Sequence, residues 1–153
     1  MKICGICLKN EFLCNACRKK IESGVVSKTD VSISRSLFKL NIFANFIRSI
    51  DAKNHIVIVA DKKNSGLLIG RGGRNAKKLG TLLGKNVRII EHVDDERKLI
   101  ENVINSPILG INKIYGNNET YKIRIENRFR TRVDGLSGTV GKVLDKNVKF
   151  VFE

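Results

Sequence analysis

Past position 17 the chain has no cysteine, and its 153 residues include only two histidines, His55 and His92. Neither adjoins a nucleophile or a carboxylate pair in sequence. The groupings that acid–base or nucleophilic catalysis requires are therefore missing, and the expectation is a protein that is not an enzyme. No apolar run approaches the roughly 18 residues that mark a membrane-spanning helix, which excludes one. Met1-Lys2-Ile3-Cys4 opens no apolar stretch followed by a small-residue cleavage site, so the expected localisation is cytoplasmic. Acids are scarce as well: 15 against 29 Lys and Arg, a net charge of +14. A surface kept soluble by charge usually carries both signs nearer balance. The excess points to a polyanionic partner, nucleic acid before an anionic membrane surface. With 42% hydrophobic residues, the chain builds one medium domain or two very small ones with thin cores.

What the chain does have begins with its cysteines, Cys4-x2-Cys7 and Cys14-x2-Cys17. Each pair presents two thiolates to one ion, and the six residues between the pairs suit a short hairpin turning at Lys9-Asn10-Glu11. Four thiolates complete a tetrahedron around zinc and leave no position open for a substrate, so the expected Zn2+ is structural. The spacer is shorter than the usual four-cysteine template. Two disulfides or an iron–sulfur cluster are the alternatives, and the first is disfavoured in a reducing compartment. Arg18, Lys19 and Lys20 follow the last ligand and offset part of the tetrathiolate's negative charge. So small a piece has little core, which makes the metal its source of folding energy.

After a linker at 25–30, Asp30 offers an N-cap for a helix over 31–40 with Ile33, Leu37 and Leu40 on one face. Strand-prone runs at 45–50 and 55–60 flank Asp51-Ala52-Lys53-Asn54, which is hairpin chemistry. A short helix over 66–69, a glycine turn, a basic amphipathic helix over 74–83 stopped by Gly84, and a strand over 87–91 complete one unit. Asp94, Asp95 and Glu96 open a second helix that turns Leu99, Ile100, Val103 and Ile104 inward and ends at Ser106-Pro107. Strands at 111–115 and 120–126 flank Gly116-Asn117-Asn118-Glu119. Then come another G-x-x-G, Gly135-Leu136-Ser137-Gly138, a short helix over 139–144 and a strand over 148–152. Lys85-Asn86-Val87 reappears in outline as Lys146-Asn147-Val148, so the pattern reads as an internal duplication.

The most informative stretch is Ile69-Gly70-Arg71-Gly72-Gly73-Arg74. It lies after a strand and before a basic helix, where glycines let backbone N–H groups approach phosphates that a Cβ would keep away. Arg71, Arg74, Lys77 and Lys78 supply counter-charge. No Lys-Ser or Lys-Thr follows the glycines at the spacing a nucleotide-binding P-loop needs. Leu68 and Ile69, facing the edge strand, are the expected wall of an apolar groove for bases.

These residues resemble the tandem type II KH domains of the archaeal NusA-like transcription factors. The likeness covers roughly residues 31–153 and is strongest over Gly66 to Leu79, then at Gly84-Lys85-Asn86-Val87 and Glu91. It implies an α+β fold of two αββααβ units, at 31–92 and 93–153, preceded by the zinc-binding module at 1–24. It also implies that Ile69, Gly70, Arg71, Gly72, Gly73, Arg74, Lys77 and Lys78 bind single-stranded RNA, in a role in transcription elongation or termination. RNA polymerase or the ribosome is the protein partner to expect, and an adaptor docking on either is the alternative function. The second unit departs from the pattern: Leu136 and Ser137 stand where basic or small residues belong, and its following helix is short. Arg128, Arg130 and Arg132, just before it, remain candidates for phosphate contact. That unit is read as degenerate.

Overall fold

The computed structural model describes residues 2–52, 55–116 and 119–153. The predicted turns through Lys53-Asn54 and Asn117-Asn118 therefore lie partly outside the described residues. The chain divides into two compact units, Met1–Glu91 and His92–Glu153. Among the described residues each unit holds one three-stranded sheet, and no helix is long and apolar enough to cross a membrane.

In the first unit, helices α1 (Gly5–Lys9) and α2 (Asn15–Glu22) precede α3 (Lys28–Lys39), strands β1 (Arg48–Asp51) and β2 (His55–Ala60), helices α4 (Lys62–Ile69) and α5 (Arg74–Leu83), and strand β3 (Asn86–Glu91). From α3 onward this is the αββααβ order. β1 runs antiparallel to β2 with Ile50 opposite Val57, and β3 runs parallel to β2 with Val87 beside Ile56. A parallel β2–β3 pair needs a crossover, and α4 with α5 forms it. The core under this crossover gathers Ile33 and Leu37 of α3, Ile56, Ile58 and Ala60 of β2, Leu68 of α4 and Leu79 of α5. Leu68 and Leu79 are fully buried, so each helix of the crossover anchors a leucine whose truncation to alanine costs about 2–5 kcal/mol.

The elements depart from the sequence expectation in several places: α4 starts at Lys62, four residues before the expected start at Gly66, α2 is a helix the sequence did not mark, and two departures turn on local chemistry. The first is α3, which starts at Lys28 and takes in part of the expected linker. Ser27 is the N-cap, and Asp30 is its reciprocal partner: Ser27 Oγ accepts from Asp30 N and Asp30 Oδ2 accepts from Ser27 N, both at 3.0 Å. This capping box satisfies two helix-end donors at once, which a cap at Asp30 alone would not do. Asp30 is buried and its other carboxylate oxygen accepts from Ser49 Oγ, which ties the head of the helix to β1. The second departure is the cysteine segment, where helix α1 replaces the expected hairpin. Cys4 and Cys14 sit at the N-caps of α1 and α2. A helical first turn places the residue three positions on beside its cap, which is the C-x2-C spacing.

The second unit holds α6 (Glu96–Ile104), β4 (Gly110–Ile114), β5 (Thr120–Ile125), α7 (Arg130–Val133), α8 (Ser137–Leu144) and β6 (Asn147–Phe152). It repeats the αββααβ order, with β4 antiparallel and β6 parallel to β5. Leu99, Ile100, Val103 and Ile104 are buried on α6 at helical spacing, and Tyr121, Ile123 and Ile125 alternate along β5. The duplication extends to single contacts. A Cβ on Gly80 of α5 would stand 3.0 Å from Lys85 O, and one on Gly141 of α8 would stand 2.9 Å from Lys146 O. In both units the lysine before the last strand pairs with an acid beside the hairpin: Lys85 with Asp51, and Lys146 with Glu119 at 2.6 Å.

Candidate nucleic-acid interface and metal centre

The four cysteine Sγ atoms lie within 4.8 Å of one another. Cys4 and Cys14 Sγ are 3.9 Å apart, close to the roughly 3.8 Å that separates two thiolates each 2.3 Å from a tetrahedral ion. That gap is nearly twice the about 2.05 Å of a disulfide. Backbone N–H groups already point at the sulfurs: Cys14 N donates to Cys7 Sγ at 3.1 Å, and Cys4 N to Cys17 Sγ at 3.4 Å. In the metal-free chain the Cys4 thiol is lowered to about 6, chiefly by the Cys7 backbone N–H. Cys14 is lowered as well, chiefly by the N–H of Cys17. Cys7 is raised to about 12, because burial and the surrounding thiols outweigh the N–H of Cys14. Softness, number and spacing of the donors fit one tetrahedral metal ion. The module is not isolated: Ile3, Cys7, Leu8 and Cys17 share a small core with Val26 and with Val31 of α3. Arg35 Nε of α3 donates to Cys7 O at 3.1 Å.

The glycine loop is built by the two helices it joins. Asp61 caps α4 by accepting from Asn64 N at 2.8 Å, and its carboxyl is held below the usual carboxylate range first by that backbone N–H and then by the Asn64 side chain. At the far end, Gly70 takes φ 71° and ψ 176°, a region essentially restricted to glycine. Gly72 and Gly73 follow with φ 64° and 77°, and Gly73 N closes the turn on Gly70 O at 3.2 Å. A Cβ on Gly70 would fall 2.7 Å from Asn75 Cγ, whereas one on Gly72 or Gly73 would meet nothing within 4 Å. Gly70 is thus packed, while the backbone at Gly72 and Gly73 stays open to a ligand. Asn75 Nδ2 donates to Leu67 O at 2.8 Å, bridging the two helices across the loop. Asn75 belongs to none of the expected site residues; an amide one residue into a helix that follows a glycine turn is the signal that marks it.

Arg71, Arg74, Lys77 and Lys78 are all exposed, and none is ion-paired among the described residues. Beside them runs a groove of 880 Å³ between α5 and the start of β3, lined by Ala76, Lys77, Gly80, Thr81, Asn86 and Val87 among others. The glycine at position 80, which costs about 1 kcal/mol of helix propensity, is what lets α5 and β3 approach at the groove's floor. Lys77 stands on this groove, whereas Lys78 is not among its lining residues. One expectation is corrected: Leu68 does not line a base groove. It is fully buried in the core with Leu79, because helical periodicity turns it inward while Leu67 and Ile69 stay 45% and 40% exposed.

The second unit lacks this loop. The path from His55 to its strand partner Asn86 is four residues longer than that from Thr120 to its partner Asn147. Gly135, with φ 77°, stands just past the end of α7 as Gly70 does past α4. Only Leu136 then intervenes before α8, so Gly138 lies inside a helix and the second G-x-x-G forms no loop. Arg128 and Arg132 lie over the Phe129 ring at 4.7 and 5.4 Å, and Arg130 over Phe152 at 4.9 Å. Both histidines stand apart from these features. His92 pairs with Asp94 at 3.6 Å on the surface, and Asp95 caps α6. His55 is half-buried, and burial, then the Arg88 charge, lowers its imidazole.

A KH domain family model matches residues 17–134, well over half of the chain. No curated protein matches the sequence. Among solved structures, the crystal structure of APE1850 shares the fold with a TM-score of 0.61 at 23% identity, over 77% of this chain and 94% of that one. KH domains hold single-stranded RNA by clamping about four backbone nucleotides on a G-x-x-G loop. By this match over most of its length, and by the αββααβ order with Gly70 to Gly73 between its paired helices, the chain belongs to the KH domain family.

Proposed function

We propose that the first unit clamps single-stranded RNA, with the loop from Gly70 to Gly73 on the backbone and the α5–β3 groove receiving bases. One observation carries this reading: Gly72 and Gly73, both at positive φ, leave an open backbone edge at the head of α5 among four cations that have no acidic partner among the described residues. Arg71 and Arg74 hold phosphates from the loop, and Lys77 does so from the groove wall. Ile69, exposed at the end of α4, offers apolar contact to a base. Phosphate contacts position the strand and base contacts select it. The cysteine module holds a structural Zn2+, and the protein binds without catalysing a reaction.

Within this class we assign a NusA-like role in transcription elongation or termination in the cytoplasm, on the likeness of residues 66–79, 84–87 and Glu91 to that family. A second reading, an adaptor docking on RNA polymerase or the ribosome, is favoured by Ile6 and Phe12 of the cysteine module, which are 72% and 80% exposed.

The test is anisotropy titration of the zinc-loaded protein against single-stranded RNA, matched DNA and duplex RNA. The Arg71→Asp/Gly72→Asp variant is measured alongside. Aspartate tolerates the left-handed conformation at position 72, so the fold survives while two carboxylates face the phosphates. Loss of single-strand binding in a folded variant is the expected result. Unchanged binding would leave only diffuse attraction and would favour the adaptor.

A further inference from the structure

Helix α3 carries a second cationic surface that the loop does not use. Lys28, Ser32, Arg35 and Lys39 recur at spacings of four, three and four, which places them on one stripe of the helix. Ile33 and Leu37 occupy the buried side. The stripe forms one wall of a groove of 480 Å³, with Lys85 and the end of α5 on the other, a volume within the range of about 300–1,000 Å³ typical of ligand clefts. The groove's one acid, Asp51, is neutralised by Lys85. Lys28, Arg35 and Lys39 have no carboxylate partner among the described residues. Arg35 is the most telling. Its Nε is committed to Cys7 O, yet its Nη2 is buried without a hydrogen-bond partner. That nitrogen is closed off from solvent, so a strand would meet Arg35 only through the part of its side chain that lines the groove, where a guanidinium suits a phosphate oxygen as acceptor. The hydroxyl of Thr29, which also lines the groove, adds a neutral donor, while that of Ser32 donates back to Lys28 O at 3.3 Å.

Lys85 lines this groove and the base groove alike. The two are therefore consecutive along α5, a helix about 15 Å long, with the glycine loop at its head and the α3 stripe beyond its tail. The geometry points to a phosphate-binding track in which an RNA strand held at Gly70 to Gly73 continues past Lys85 onto Lys28, Arg35 and Lys39. This extended footprint rests on the loop reading above. It also gives the cysteine module a second task, since Cys7 O holds Arg35 in place on the groove wall.

The experiment compares single-stranded RNAs of about four nucleotides, the span of one KH loop, and of about three times that length. The proteins are the full zinc-loaded chain, Lys28→Ala/Lys39→Ala, Lys98→Ala/Lys149→Ala as a control for net charge, and Arg71→Asp/Gly72→Asp. Lys28 and Lys39 are exposed, so their truncation leaves the core intact. Two phosphate contacts fewer reduce the steepness of log affinity against log salt by about 1.4 on a single strand. Raising salt fourfold then weakens wild-type binding to the long RNA about sevenfold more than the variant's. The expected result is that loss for the long RNA alone, with the short RNA and the control variant unaffected. Equal salt slopes for wild type and Lys28→Ala/Lys39→Ala on the long RNA, while the loop variant loses both RNAs, would overturn the track and leave the loop standing. A short RNA that binds the loop variant as well as wild type would remove the loop reading, and this one with it.

Discussion

Replacing Gly70 with alanine tests the claim that the loop is packed at one glycine and open at the next two. Alanine at φ 71° and ψ 176° occupies a region that costs about 1–3 kcal/mol for a residue with a Cβ. The new Cβ would also stand 2.7 Å from Asn75 Cγ. Asn75 must move, which sacrifices its bond to Leu67 O, worth about 1 kcal/mol. Together these give a loss of roughly 2–4 kcal/mol. Gly72→Ala meets nothing within 4 Å and pays only the left-handed penalty, about 1–2 kcal/mol. Urea unfolding of the metal-loaded protein, followed by far-UV circular dichroism because the chain has no tryptophan, measures both. A double-mutant cycle with Asn75→Ala should show a coupling of about 1 kcal/mol, since Gly70→Ala has already displaced the amide. The reasoning fails if Gly70→Ala is no more destabilising than Gly72→Ala, or if the two changes at 70 and 75 simply add.

With 3 or 4 phosphates neutralised, log affinity for short single-stranded RNA should fall against log salt with a slope of roughly −2 to −3; a flat response in the same titrations contradicts the clamp. Metal affinity should rise with pH by about tenfold per unit for each thiol that must lose its proton. Cys7, raised to about 12 in the metal-free chain, stays protonated there through neutral pH and must deprotonate on loading. Competition with a chromogenic chelator between pH 6 and 8 reads this, and a pH-independent affinity refutes the four-thiolate site. Removing the metal should unfold α1 and α2 first, seen as lost amide protection in residues 5–22 while β2 and β3 stay protected. Gly141→Ala gains about 1 kcal/mol of helix propensity but sets a Cβ 2.9 Å from Lys146 O, so a net loss of stability is expected on urea titration. A net gain would show that α8 does not need its close approach to β6.

Local signals carried far in this chain. Gly84, with φ 73°, ends α5 where the sequence places the stop, and α5 spans the residues that its apolar spacing marks. At Asp30 and in the cysteine segment two local chemistries compete. Asp30 is an acceptor that suits an N-cap, and only the presence of Ser27 three residues earlier makes it the other half of a capping box. In the cysteine segment, metal-ligand spacing is compatible with a hairpin and with a helical first turn. The N–H groups directed at sulfur accompany the helical form. Leu68 and Ile69 look alike in sequence, and only their angle around α4 separates a core residue from an exposed one.

By itself the sequence determined the charge, the four clustered thiols, the αββααβ order of the first unit from α3 onward and the glycine loop, because each depends on residue type at short spacing. Tertiary structure decided the rest. Strand register shows that four residues are missing from the second unit's crossover, which turns its G-x-x-G into the start of a helix. Packing of α3 against the cysteine module fixes Arg35, through its bond to Cys7 O, on the wall of a cationic groove. Asn75 closes the loop by reaching Leu67 O, eight residues before it. Such pairings join positions whose separation along the chain carries no periodic signal, and only the folded backbone brings them within reach.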